Sequence, residues 1–170
     1  MDEADRLLDP GFADEVGRFA TVAVVCVDPH SGALRWANGG HHPPLLLSAD
    51  GRQRELAPTG PLLSWLGGPW RVDVTTMGPD DVLVAYSDGL VESHNSAREE
   101  LGAGGLVELF RSASADGAEP DEAVRRTLAQ ARSRSVDWER DDVTLVVLAL
   151  AEPAGPPSIP VPRPTPTPIA

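Results

Sequence analysis

The chain alternates between short apolar runs and clusters of turn-forming residues, and the period of each run predicts its element. Phe19 to Val27 is apolar and rich in β-branched residues, which predicts a strand. Asp28-Pro29-His30-Ser31-Gly32 is a turn cluster, and Ala33 to Ala37 begins a returning strand, so a hairpin is expected. Pro43 to Ser48 and Arg52 to Leu56 flank a second turn at Ala49-Asp50-Gly51. Pro58 to Pro69 reads as a loop, and Arg71 to Thr76 alternates as an edge or half-buried strand does. Val82 to Tyr86 and Val143 to Leu150 are continuous apolar runs, the pattern of strands covered on both faces. Between them lie two helical patterns. Gly105 to Ser112 carries Leu106, Leu109 and Phe110, and Pro120 to Arg134 carries Ala123, Val124, Leu128 and Ala131 behind an N1 proline.

The ends read differently. Met1 to Val16 has the character of the end of a helix followed by a loop, broken at Asp9-Pro10-Gly11. Residues 152–170 hold eight of the 17 prolines and predict a disordered, polyproline-type tail; a PxxP ligand is the less favoured alternative. Deleting residues 155–170 is therefore expected to leave the melting temperature almost unchanged.

Composition narrows the function classes. At 170 residues, with 41% hydrophobic and 24% charged residues, the chain is one soluble globular domain. A net charge of −12 argues against nucleic acid as a partner, because phosphates are repelled by so acidic a surface. No apolar stretch approaches membrane-spanning length and the acidic N-terminus is wrong for a signal peptide, so no membrane partner is expected and the location expected is cytoplasmic. The single cysteine, Cys26, lies inside an apolar run and reads as a buried structural thiol.

Two segments carry the chemistry. Tyr86-Ser87-Asp88-Gly89-Leu90 follows one apolar strand, and Arg140-Asp141-Asp142-Val143-Thr144 precedes the other. Were those strands parallel, Asp88 and Asp141 would lie at opposite ends of the sheet, roughly 20 Å apart. Antiparallel, their acids converge on one rim. Carboxylates gathered there repel one another and favour a hard divalent cation, Mg²⁺ or Mn²⁺; zinc is disfavoured because no Cys/His cluster has suitable spacing. Taken singly, each segment has an ordinary explanation as a turn or a solvated cap. Their matched placement favours the metal site.

Four segments together resemble a known family: Phe19-Ala-Thr, Trp36-Ala-Asn-Gly-Gly-His-His-Pro-Pro44, Asp81-Val-Leu-Val-Ala-Tyr-Ser-Asp-Gly-Leu-Val-Glu92 and Arg140-Asp-Asp-Val-Thr144. In this order and spacing they resemble PPM-type (protein phosphatase 2C-like) domains of the SpoIIE/RsbU class, bacterial regulators of sigma-factor switches. The likeness covers about residues 4–151, giving a domain over 1–151 and the tail over 152–170. It implies an α+β fold, an αββα sandwich of two mainly antiparallel sheets flanked by helices. It also implies an enzyme hydrolysing phosphoserine or phosphothreonine through a water that two cations (Mn²⁺ or Mg²⁺) activate, with no covalent intermediate.

By motif position, Asp88 and Asp141 resemble the metal-binding carboxylates, while Asp142, Gly89 and Glu92 are candidates for support around them. The implied partner is a phosphoprotein of the anti-anti-sigma type. Members of the class carry, further upstream, a Gly-Asp-x-x-Gly-His-Gly-like segment whose aspartate bridges both cations. Gly-Asp does not occur here. The expectation is thus an N-terminally truncated or degenerate domain, with a weak or single metal and little activity of its own. If some other acid substituted for the missing bridge, Asp73 and Asp142 would be the first to test. A pseudophosphatase binding module is the alternative function, and an unstable structural fragment is the third. His41 and His42 are expected to shape a tight loop rather than act in catalysis, and Trp65 and Trp70 to be core lids rather than binding platforms.

Overall fold

A computed structural model describes residues 19–64 and 67–150. The turns along the chain separate nine strands among these residues: β1 Phe19–Ala20, β2 Val22–Val27, β3 Ala33–Gly39, β4 Leu45–Leu47, β5 Gln53–Glu55, β6 Leu63–Ser64, β7 Asp73–Thr76, β8 Val82–Tyr86 and β9 Leu145–Ala149. Three helices follow β8: α1 Asp88–Val91, α2 Gly102–Ser114 and α3 Pro120–Arg134, with a 3₁₀ turn at Trp138–Arg140 before β9. Every strand pairing is antiparallel, in sheets ordered β2-β3-β7 and β5-β4-β8-β9 and a small β1-β6 pair. The α+β class with antiparallel sheets is as expected. The helical end predicted for residues 1–16, Trp65 and the proline-rich tail lie outside the described residues.

The β2–β3 hairpin closes where the turn cluster stands. Gly32 takes a φ of 68°, which its lack of a Cβ permits, and the Asp28 carboxylate accepts from the His30 amide and the Ser31 hydroxyl. The second turn likewise joins β4 to β5.

Strand alternation then builds two cores. Leu45 and Leu47 of β4 and Val84 and Tyr86 of β8 point to one side, where Leu106, Val107 and Phe110 of α2 and Ala123 and Ala131 of α3 cover them. Leu46 and Leu83 point to the other, packing with Leu34, Trp36, Leu56 and Met77. β8 is thus buried on both faces, as its unbroken apolar run predicts.

Two expectations need correction. β9 is the edge of its sheet, not a strand covered twice: Leu145 and Val147 pack toward the helices, but Val146 and Leu148 are 56% and 38% exposed. Cys26 is exposed, not buried. Its neighbours Val25 and Val27 pack against the inter-sheet core, so alternation turns Cys26 and Val24 outward. β7 is an edge strand as expected, but Val72 and Val74 face outward while Asp73 pairs with Trp36 in the strand register. An apolar run shows that a strand forms; it does not show which faces are covered.

Candidate metal centre

The antiparallel pairing of β8 with β9 sets the site. Tyr86 stands opposite Leu145, so the chain leaves β8 beside the point where it enters β9. Ser87 joins the two segments with three hydrogen bonds. Its amide donates to the Thr144 carbonyl (3.1 Å), its hydroxyl donates to the Asp142 carbonyl (2.9 Å), and that hydroxyl accepts from the Thr144 amide (2.9 Å). Sequence reasoning missed Ser87. A small hydroxylic residue between a strand and an Asp-Gly pair was the only signal.

Gly89 closes the contact. A Cβ built there would lie 2.5 Å from the Asp142 carbonyl oxygen and 3.1 Å from the Asp141 Cβ. The two motif segments therefore touch through backbone, and the acids that flank the contact share one rim.

Asp88 and Asp141 are both exposed at the start of their segments. Each uses one carboxylate oxygen on the next backbone amide: Asp88 Oδ1 accepts from Gly89 N at 2.9 Å, and Asp141 Oδ1 from Asp142 N at 2.7 Å. The second oxygen of each is free to ligate. Glu92 lies beside Asp141 in a hollow that Asp88 does not line, since Gly89, Glu92, Ser93, Asp137, Arg140 and Asp141 enclose its volume of about 30 Å³. Asp142 accepts from the Ser87 hydroxyl through its backbone carbonyl, not its carboxylate. Asp73 lies in the other sheet, in the β3–β7 pairing.

This donor set suits a hard cation. It offers carboxylate oxygens and neither thiolate nor imidazole, which favours Mg²⁺ or Mn²⁺ over zinc. Among the described residues no group of three or more His, Cys, Asp or Glu side chains is arranged to hold a metal ion. Asp88 and Asp141 bring two carboxylates to this rim, fewer than such a group contains.

Behind the rim, Asp137 organises the approach to β9. Its Oδ1 accepts from the His94 amide (2.8 Å) and the Ser135 hydroxyl (3.2 Å), and its Oδ2 lies 3.0 Å from His94 Nδ1. These contacts, the His94 amide first, hold the Asp137 carboxyl below its ordinary value of 3.8. A carboxyl lowered in the folded state stabilises the fold above the unfolded-state pKa and loses that effect as pH falls through the folded value. Asp137→Asn is therefore expected to lower the melting temperature at neutral pH and to flatten its decline between about pH 5 and pH 3. A series of thermal melts across that range checks both, and an unchanged slope would contradict the assignment.

The histidine pair lies in the connection between β3 and β4. His41 places Nδ1 3.2 Å from the Thr21 hydroxyl, and its backbone is gripped by the Asn38 amide; the His42 ring lies 6.0 Å from that of Tyr86 at 35°. Trp70 packs closely on Gly60, where a Cβ would fall 2.1 Å from its Cδ1.

The comparisons with known proteins agree with this fold. A sequence profile described as Stage II sporulation protein E (SpoIIE) matches residues 1–151. Protein IcfG of Synechocystis sp. is 26% identical over 149 residues, which span 85% of this chain and 23% of IcfG. The RsbU and RsbW domains of Rv1364c from Mycobacterium tuberculosis superpose with a TM-score of 0.66 at 28% identity, over 88% of this chain and 40% of theirs. The phosphatase domain of SpoIIE from Bacillus subtilis, 15% identical, shows the same fold at a TM-score of 0.55, over 91% of this chain and 69% of its own. The chain thus spans less than half the length of the first two relatives. With the profile match running through both acid-bearing segments, the chain belongs to the SpoIIE family.

Proposed function

We propose that this chain is a metal-dependent phosphoprotein phosphatase domain acting on phosphoserine or phosphothreonine, with Asp88 and Asp141 holding Mn²⁺ or Mg²⁺. The observation that carries the reading is the contact of the two acid-bearing segments through Ser87 and Gly89 at one end of β8 and β9. A cation bound there would supply charge neutralisation at the phosphoryl oxygens and activation of water. The chain's own part is to present two carboxylates from the segments that leave β8 and lead into β9, and to leave that rim open. RsbU-type relatives suggest a phosphorylated regulator in a bacterial sigma-factor or stress switch as substrate, in the cytoplasm.

A second reading is a binding module without turnover. The lack of a third suitably placed ligand among the described residues favours it. Phosphate release from a phosphoserine peptide, with and without Mn²⁺, separates the two. The phosphatase reading expects slow release that needs Mn²⁺ and is lost in Asp88→Asn and Asp141→Asn. Peptide binding with no release supports the module, and release indifferent to the metal and to both aspartates would contradict the site.

A further inference from the structure

We infer that Arg140 is the positioning residue for the phosphoryl group of the substrate, an inference that rests on the phosphatase reading above. Among the described residues, Arg140 is the only cationic side chain lining the hollow shared by Gly89, Glu92 and Asp141. It also lines, with Asp141, an open cleft of about 630 Å³ that runs past Trp138 to Arg132. The guanidinium therefore stands where the hollow beside Asp141 meets an open cleft.

Its bonding state matters as much as its place. Arg126 is committed, donating to Glu122 at 2.7 Å and to Asp116 at 2.8 Å. The Arg140 side chain makes no hydrogen bond among the described residues. Its nearest carboxylate, Asp137 Oδ2, is 3.9 Å away and is already taken up by His94. Asp137 thus attracts the guanidinium without consuming its donors. The backbone is fixed, because the Arg140 amide donates to the Asp137 carbonyl at 2.9 Å.

A guanidinium presents five N–H donors in a planar fork that matches two oxygens of a phosphate. On a chain of net charge −12, a phosphoryl dianion approaching two aspartates and Glu92 is repelled unless positive charge meets it. A cation on Asp88 and Asp141 provides one such contact, and Arg140 provides the other from the cleft side. Glu139 lines the same cleft but lies 3.6 Å from Arg132, so it is the far guanidinium that it engages.

The test compares binding of a phosphoserine peptide and its unphosphorylated twin to the whole chain with Mn²⁺ present, by fluorescence anisotropy. The wild type is expected to prefer the phosphopeptide. Arg140→Ala should cut that preference about tenfold or more, a change typical of losing a charge-assisted pair. Arg140→Lys should retain part of it, because the charge stays and the fork is lost. Arg140 is 67% exposed, so both variants should fold, and circular dichroism melts check this. An unchanged preference in Arg140→Ala, an equal loss for both peptides, or no preference in the wild type would overturn the assignment. Mn²⁺ affinity is read separately by electron paramagnetic resonance. Its absence would remove the phosphatase reading, whereas retained Mn²⁺ binding with an Arg140-indifferent preference removes only the role of Arg140.

Discussion

Replacing Asn38 with alanine is expected to destabilise the fold by about 3 kcal/mol or more, enough to unfold much of a marginally stable chain. Asn38 is 1% exposed in β3. Its side-chain amide donates to the carbonyls of His41 (3.0 Å) and Leu56 (3.2 Å), and its carbonyl oxygen accepts from the His41 amide (2.9 Å). Its backbone is tied as well, with the Asn38 amide donating to the Thr59 hydroxyl at 3.0 Å and its carbonyl accepting from Thr59 N at 2.8 Å. Alanine strands three backbone groups at or near the core at once, and each unsatisfied buried group costs about 1–3 kcal/mol. Asn38→Asp is also expected to be damaging, because it replaces the two-bond donor with a buried charge. Urea denaturation measures the loss; a change below about 1 kcal/mol would show that water fills the gap at little cost.

Gly89→Ala should act on the site itself. The added methyl meets backbone, not a flexible side-chain end, so the Asp141–Asp142 segment must move. Overpacking of this kind costs about 1–3 kcal/mol, and the displacement should also weaken Mn²⁺ binding because the two carboxylates no longer converge. Gly104→Ala is the contrast. Gly104 lies in α2 with nothing within 4 Å of its would-be Cβ, so alanine there should stabilise by about 0.5–1 kcal/mol and leave metal binding alone. Loss of Mn²⁺ affinity in both variants, or in neither, would mean that the close approach at Gly89 does not hold the acids together.

Much of the fold was legible because local pattern and tertiary role coincide. The N1 proline and apolar spacing mark α3 at Pro120–Arg134, and turn residues mark both hairpins. The matched ends of two apolar runs point to an acid rim once the strands pair antiparallel, as they do. Burial was less legible, because it depends on what lies opposite. Val146, Leu148 and Cys26 sit in apolar runs yet face outward, since alternation turns them to the uncovered face of β9 and β2. The fastening residues were least legible. Ser87 and Asn38 are ordinary polar residues in sequence, and their roles arise only when distant backbone groups come within reach.

The central claim is that Asp88 and Asp141 hold one divalent cation between them. Titrating the chain with Mn²⁺ and counting free ion by electron paramagnetic resonance tests it directly. The account predicts a single weak site, with affinity lowered about tenfold or more by either Asp88→Asn or Asp141→Asn, since each supplies a carboxylate oxygen that the other cannot replace. Equal Mn²⁺ affinity in the wild type and both variants would contradict it.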